Sequence, residues 1–86
     1  MNMQKFNVEI VYTNEFNPRS EMSIVETTSF FTLSEAVQFY SSQSVRIRTE
    51  GRRARLAIWR FQFNEKLNVW FAPSNEAPIL NCEVAS

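Results

Sequence analysis

Hydrophobic and polar residues alternate most clearly near the start of the chain. In KFNVEIVYT (5–13), Phe6, Val8, Ile10 and Tyr12 fall on one side and Lys5, Asn7, Glu9 and Thr13 on the other. That period of two predicts a half-buried β-strand. NEFNPRSE (14–21) follows, where Asn17-Pro18 signals a turn and bars a regular strand. This connection is longer than the usual hairpin loop of about two to five residues, which suits either a contact loop or a solvated tip. MSIVETTSFF (22–31) is rich in β-branched and aromatic residues and reads as a second strand. Its alternation is poor, because Ile24-Val25 and Phe30-Phe31 place apolar groups on both sides.

The pattern then changes period. Thr32 and Glu35 form a T-x-x-E capping box, in which Thr32 accepts from the Glu35 amide and the Glu35 side chain reaches back to the Thr32 amide. Phe31, just before the cap, is placed to staple onto Ala36. Leu33, Ala36, Val37 and Tyr40 keep helical spacing and predict the buried face of a short helix. It starts at 33 and fades in Ser41-Ser42-Gln43-Ser44, since serine favours helix ends and turns. VRIRTE (45–50) alternates again, with Val45 and Ile47 inward and Arg46 and Arg48 outward, which predicts a strand turned by Gly51.

ARLAIWRFQF (54–63) predicts a long strand, Asn64-Glu65-Lys66 a turn, and LNVWFA (67–72) a strand ended by Pro73. ILNCEVA (79–85), beyond a loop between Pro73 and Pro78, has strand composition and is read as a short strand or an ordered tail. The expected architecture is a small single α+β domain over 1–86. It has β-β-α-β-β-β order, a mainly antiparallel sheet and one short helix packed on one face.

The long strand poses a problem of cover. A helix of about 11 residues is ~16 Å long, whereas a strand of about 11 residues spans ~37 Å. Leu56 and Ile58 share one side, and Arg53, Arg55, Ala57, Trp59, Phe61 and Phe63 share the other. Two arrangements satisfy this. Either a β-bulge near Trp59-Arg60 switches parity and takes the rings into the helix-side core, or parity holds and the rings lie on the opposite face, needing a partner.

Charge sharpens the second arrangement. The chain is neutral overall, but Arg46, Arg48, Arg52, Arg53, Arg55 and Arg60 against Glu50 leave 46–60 at +5, with residues 1–45 at −3 and 61–86 at −2. A dipolar chain of this kind steers toward an acidic partner. Arginine in place of lysine points to directed contacts with carboxylates, phosphates or rings. Arg and Trp are also the residues that most often carry interface energy. The same pairing suits single-stranded nucleic acid, and six phosphate contacts would give a salt slope of about −5.

The sequence holds no His, no Asp, one Gly and one Cys. One glycine builds no phosphate loop, no Ser–His or Cys–His pair exists, and nine dispersed Glu offer no paired acid and base. Catalysis is therefore not expected, nor a metal, a cofactor or a small-molecule substrate. A lone Cys82 excludes an internal disulfide and fits a reducing compartment. With no apolar run of the ~20 residues a span needs and no signal-peptide pattern, a cytoplasmic location without membrane association is expected.

No motif marks a family. The order of hairpin, helix and hairpin is similar to β-grasp and other small α+β modules, without a shared signature. An Asn- and Phe-rich single domain lacking catalytic residues resembles small phage and mobile-element inhibitors, anti-CRISPR proteins among them. That resemblance implies action by occupying a site on a host protein or nucleoprotein. The leading expectation is thus a non-enzymatic protein-binding module, able to form a homodimer. Its binding surface is Arg46, Arg48, Arg52, Arg53, Arg55, Trp59, Arg60, Phe61, Phe63 and Trp70, facing a protein or nucleoprotein with an acidic surface. The alternatives are an RNA or single-stranded DNA binder using the same surface, and a structural subunit whose 79–86 tail adds a strand to a neighbour.

Overall fold

Nine residues of alternating character at the N-terminus become the spine of the sheet. The computed structural model describes residues 3–12, 24–73 and 76–84. The 14–21 connection and residues 22–23 of the expected second strand lie outside them. β1 (Gln4–Tyr12) pairs antiparallel with β2 (Ile24–Phe30) on one side and with β3 (Ala54–Asn64) on the other. The β1–β3 register runs unbroken from Gln4 opposite Gln62 to Tyr12 opposite Ala54. No bulge interrupts it, so parity holds along all of β3.

The helix differs most from expectation. α1 spans Leu33–Thr49, so the strand expected at 45–50 is instead helical. Two causes explain this. The serines stay in the helix by bonding back: the Ser42 hydroxyl donates to the Phe39 carbonyl (2.9 Å) and Ser44 to Ser41 (2.8 Å). Ile47 then continues the apolar stripe begun at Ala36 and Tyr40, and it is fully buried, while Val45 is 61% exposed.

Gly51 serves the helix end rather than a hairpin. At φ +70° it lets its own N–H reach the Arg48 carbonyl and the Arg52 N–H reach Ile47, both at 3.1 Å. This is the double closure of a Schellman motif. A positive φ is needed in either setting, so glycine alone did not distinguish them.

At the other end the capping box is half realised. Thr32 accepts from the Glu35 N–H (3.2 Å), but the Glu35 carboxylate accepts from the Thr32 hydroxyl (2.7 Å). Phe31 is 71% exposed and Leu33 39%, so neither the staple nor burial of Leu33 is made.

At 17 residues α1 is ~26 Å long, still shorter than β3. It lies on one face of the antiparallel sheet, over Val8, Ile10 and Tyr12 of β1, Ala54, Leu56 and Ile58 of β3, and Val84. Phe30 and Phe39 extend this core with ring centroids 5.2 Å apart. From Trp59 onward no residue of β3 is fully buried.

The far edge of β3 is divided between two short strands. β4 (Val69–Phe71) pairs with Gln62–Asn64, and β5 (Leu80–Val84) pairs with Ala54–Ile58. The sheet order is β2-β1-β3-β4, with β5 beside β4 on the same edge. The letters β-β-α-β-β-β are therefore met with different members: 45–50 leaves the sheet, and 80–84 joins it. The hairpin turn is held by Asn64, whose side chain accepts from the Leu67 N–H (3.1 Å), and by Asn68 at φ +54°. Asparagine tolerates that left-handed conformation.

Candidate functional site

Because parity holds, Arg55, Ala57, Trp59, Phe61 and Phe63 all project from the face of β3 opposite α1. Cross-strand pairing brings Lys5, Asn7, Glu9 and Val11 of β1 beside them, with Trp70, Asn81 and Glu83 on the far side. Among the described residues no helix packs on this face. Its order along β3 is a gradient, charged near Ala54 and aromatic near Asn64.

The aromatic end is a small cluster of its own. Phe63 and Trp70 lie opposite each other with ring centroids 5.2 Å apart and planes at 55°. The Lys5 ammonium sits 4.7 Å from the Trp70 centroid and 5.8 Å from Phe61, within cation–π range. Trp59, Phe61, Phe63 and Trp70 are all half-buried. Phe63 and Trp70 cover each other, and the aliphatic stem of Lys5 reaches over Phe61 and Trp70. A ring left in this state still holds apolar area that a partner could remove from water.

Near the middle of the face Ala57 is the small side chain between Arg55 and Trp59. An open depression of about 540 Å³ forms there, walled by Glu9, Arg55, Trp59, Asn81 and Glu83. Its charged groups are mixed in sign. Each acidic group has a basic or polar neighbour across the strands, Arg55 lying opposite Glu83.

The arginines that cluster in the sequence are divided by the fold. Arg46 and Arg48 belong to the last turns of α1 and not to a hairpin, where their charge complements the helix C-terminus. Arg46 donates to the Tyr12 hydroxyl (2.7 Å) and pairs with Glu50 (3.2 Å), while Tyr12 donates to Glu26 (3.3 Å). The bond to Tyr12, together with Glu50, holds the Arg46 guanidinium charged even more firmly than usual.

The Arg52 guanidinium stacks over the Tyr12 ring at 3.9 Å. Arg46, Arg52, Tyr12 and Glu26 thus clasp helix, β1 and β2 together, and this accounts for two of the ten candidate residues in structural terms. Arg60 lies on the helix side, bonded to Glu76. Arg48, Arg53 and Arg55 are exposed; Arg48 is on α1, Arg53 just precedes β3, and Arg55 is on the aromatic face. Arg55 and Phe63 stand eight residues apart, ~27 Å along the strand.

The remaining chemistry-bearing groups are on the helix side. Cys82 is a free, partly buried thiol on β5, and of the two readings of 79–85 the short strand is the one found, over Leu80–Val84. Burial, followed by a hydrogen bond with Cys82, pushes the Tyr40 hydroxyl well above its ordinary value, keeping it protonated. Among the described residues no group of three or more Cys, Asp, Glu or His gathers to hold a metal. Among the described residues no helix is long and apolar enough to cross a membrane.

Sequence reasoning missed Lys5, whose place over the rings depends on the pairing of β1 with the far half of β3. Its alternation with Phe6 marked it only as outward-facing. No protein-family model matches the chain, and no curated protein or solved structure matches it either.

Proposed function

We propose that this is a non-enzymatic protein-binding module whose contact surface is the helix-free face of the sheet, centred on Trp59, Phe61, Phe63 and Trp70. One observation carries this reading. Four half-buried aromatic rings lie side by side on a strand face with no described element packed over them. Aromatic anchors of this kind supply most of the energy in protein interfaces, with polar groups at the rim. Lys5 and Arg55 give the face two cations for an acidic partner surface, and Glu9 and Glu83 add acceptors beside them. Such a module would act by covering a site on its partner, as the likeness to small phage-borne inhibitors implies.

The charge layout favours a protein over a nucleic acid. Tracking a strand of phosphates needs a row of cations along the stacking rings, whereas four of the six clustered arginines sit on α1 or just past it. Arg60 is engaged with Glu76 on the other face. The test compares the wild-type chain with Trp59→Ala/Phe61→Ala in affinity capture from the source cells. A partner retained by the first and lost by the second is expected, with both chains folded by circular dichroism. Capture unaffected by the double substitution would overturn the proposal. Labelled oligonucleotides titrated at two salt concentrations should show no salt-dependent affinity, and a slope of several units would move the assignment to nucleic acid.

A further inference from the structure

Among the described residues the outer edge of β2 has a definable set of backbone groups that no strand pairs. The Phe63 N–H donates to the Met3 carbonyl (3.1 Å), continuing the β1–β3 register by one pair. Met3, and by alternation Lys5, Asn7, Glu9 and Val11, therefore direct their backbone groups at β3. Phe6, Val8, Ile10 and Tyr12 direct theirs at β2, where they meet Phe30, Thr28, Glu26 and Ile24. Parity leaves Val25, Thr27 and Ser29 with N–H and C=O pointing outward. Among the described residues no strand takes them up.

Edges of this kind are normally guarded by a proline, a lysine, a bulge or very short length. β2 is seven residues long, contains no proline and no lysine, and keeps an unbroken register with β1. Val25 is 53% exposed. The only charge in the strand is Glu26.

We propose that two copies of this chain join through their β2 edges, antiparallel about a two-fold axis at Thr27, making one continuous sheet. In that register Thr27 meets its own copy and Val25 meets Ser29, so every outward N–H finds an outward C=O. Glu26 falls opposite Thr28, whose hydroxyl can donate to its carboxylate, and never opposite the other Glu26. Like charges placed directly opposite would destabilise the pair. The chain's zero net charge removes long-range repulsion between copies. The axis is perpendicular to the sheet, so both helix-free faces look the same way. This inference does not depend on the function proposed for that face.

The test is sedimentation equilibrium of the full chain across concentration. The wild type should approach twice its 10.1 kDa mass. Thr27→Pro deletes only an outward N–H, which edge strands tolerate, and should be monomeric with unchanged circular dichroism. Thr27→Lys and Thr27→Glu should each be monomeric alone and dimeric when mixed, because the axis sets these positions against each other. A wild type that is monomeric throughout would overturn the proposal. A Thr27→Pro chain that still dimerises would do so too, by locating association on another surface. A Lys/Glu mixture that stays monomeric would overturn the Thr27 register even if Thr27→Pro failed to fold.

Discussion

On the helix side of β3, Ala54, Leu56 and Ile58 keep 2% of their exposure or less beneath α1. On the other side Trp59, Phe61 and Phe63 are only half-buried, with Trp70 against Phe63 and Lys5 over Phe61. One strand thus carries apolar surface of two kinds. The first is closed by an element that is itself amphipathic, and it holds the fold together. The second is closed only by its own members, so removing one exposes little that was not already near water. The face that holds the fold together and the face proposed for binding are separated by nothing more than the two-residue period of the strand.

Ile58→Ala is the strongest probe of the closed side. It should cost about 2–5 kcal/mol, the usual range for truncating a buried aliphatic side chain, read from urea unfolding. Phe61→Ser, on the open side, should cost about 1 kcal/mol, since half of a ring's burial is at stake and no sealed cavity forms. Equal losses for the two would break the distinction between the faces. Both tryptophans lie on the open face, so their emission should respond to Phe61→Ser even where the unfolding midpoint scarcely moves.

The smallest effect is set by pH. The Tyr40 hydroxyl is raised above its ordinary 10.0, so above that pH the unfolded chain ionises while the folded chain does not. Stability should be fully present below pH 10 and fall as pH rises past it. Tyr40→Phe should flatten that alkaline limb, and an unchanged limb would remove Tyr40 from the closed side's accounting.

Much of this arrangement could be read from residue order alone. Alternation in 5–13 and 54–63 located the two central strands, with Val8, Ile10, Leu56 and Ile58 inward. It left two sides open to Trp59, Phe61 and Phe63 until the unbroken β1–β3 register excluded a bulge. Thr32 and Glu35 located the helix start. The helix end was obscured because VRIRTE satisfies a strand period while Ile47 also satisfies a helical one, and only packing decides between them. The arginine cluster was a property of the chain rather than of the surface. It spans a helix end and a strand start, so neighbours in sequence point to different sides. Lys5 reached the rings only through the β1–β3 register, which sets it opposite Phe61, far along the chain.

The divided edge of β3 has a dynamic consequence. Between Ile58, paired with β5, and Gln62, paired with β4, Arg60 has no strand beside it on that side among the described residues. Segments with few buried contacts open locally at less than the global cost. Hydrogen exchange is therefore expected to be faster in the hairpin from Gln62 to Phe71 than in the Ala54–Ile58 half of β3. The hairpin is held to β1 only through Met3 and Gln4, and the bond between Arg60 and Glu76 fastens the gap between the two parts. Since that hairpin carries Phe63 and Trp70, amides at the aromatic end of the face should exchange faster than those at the clasped end around Tyr12.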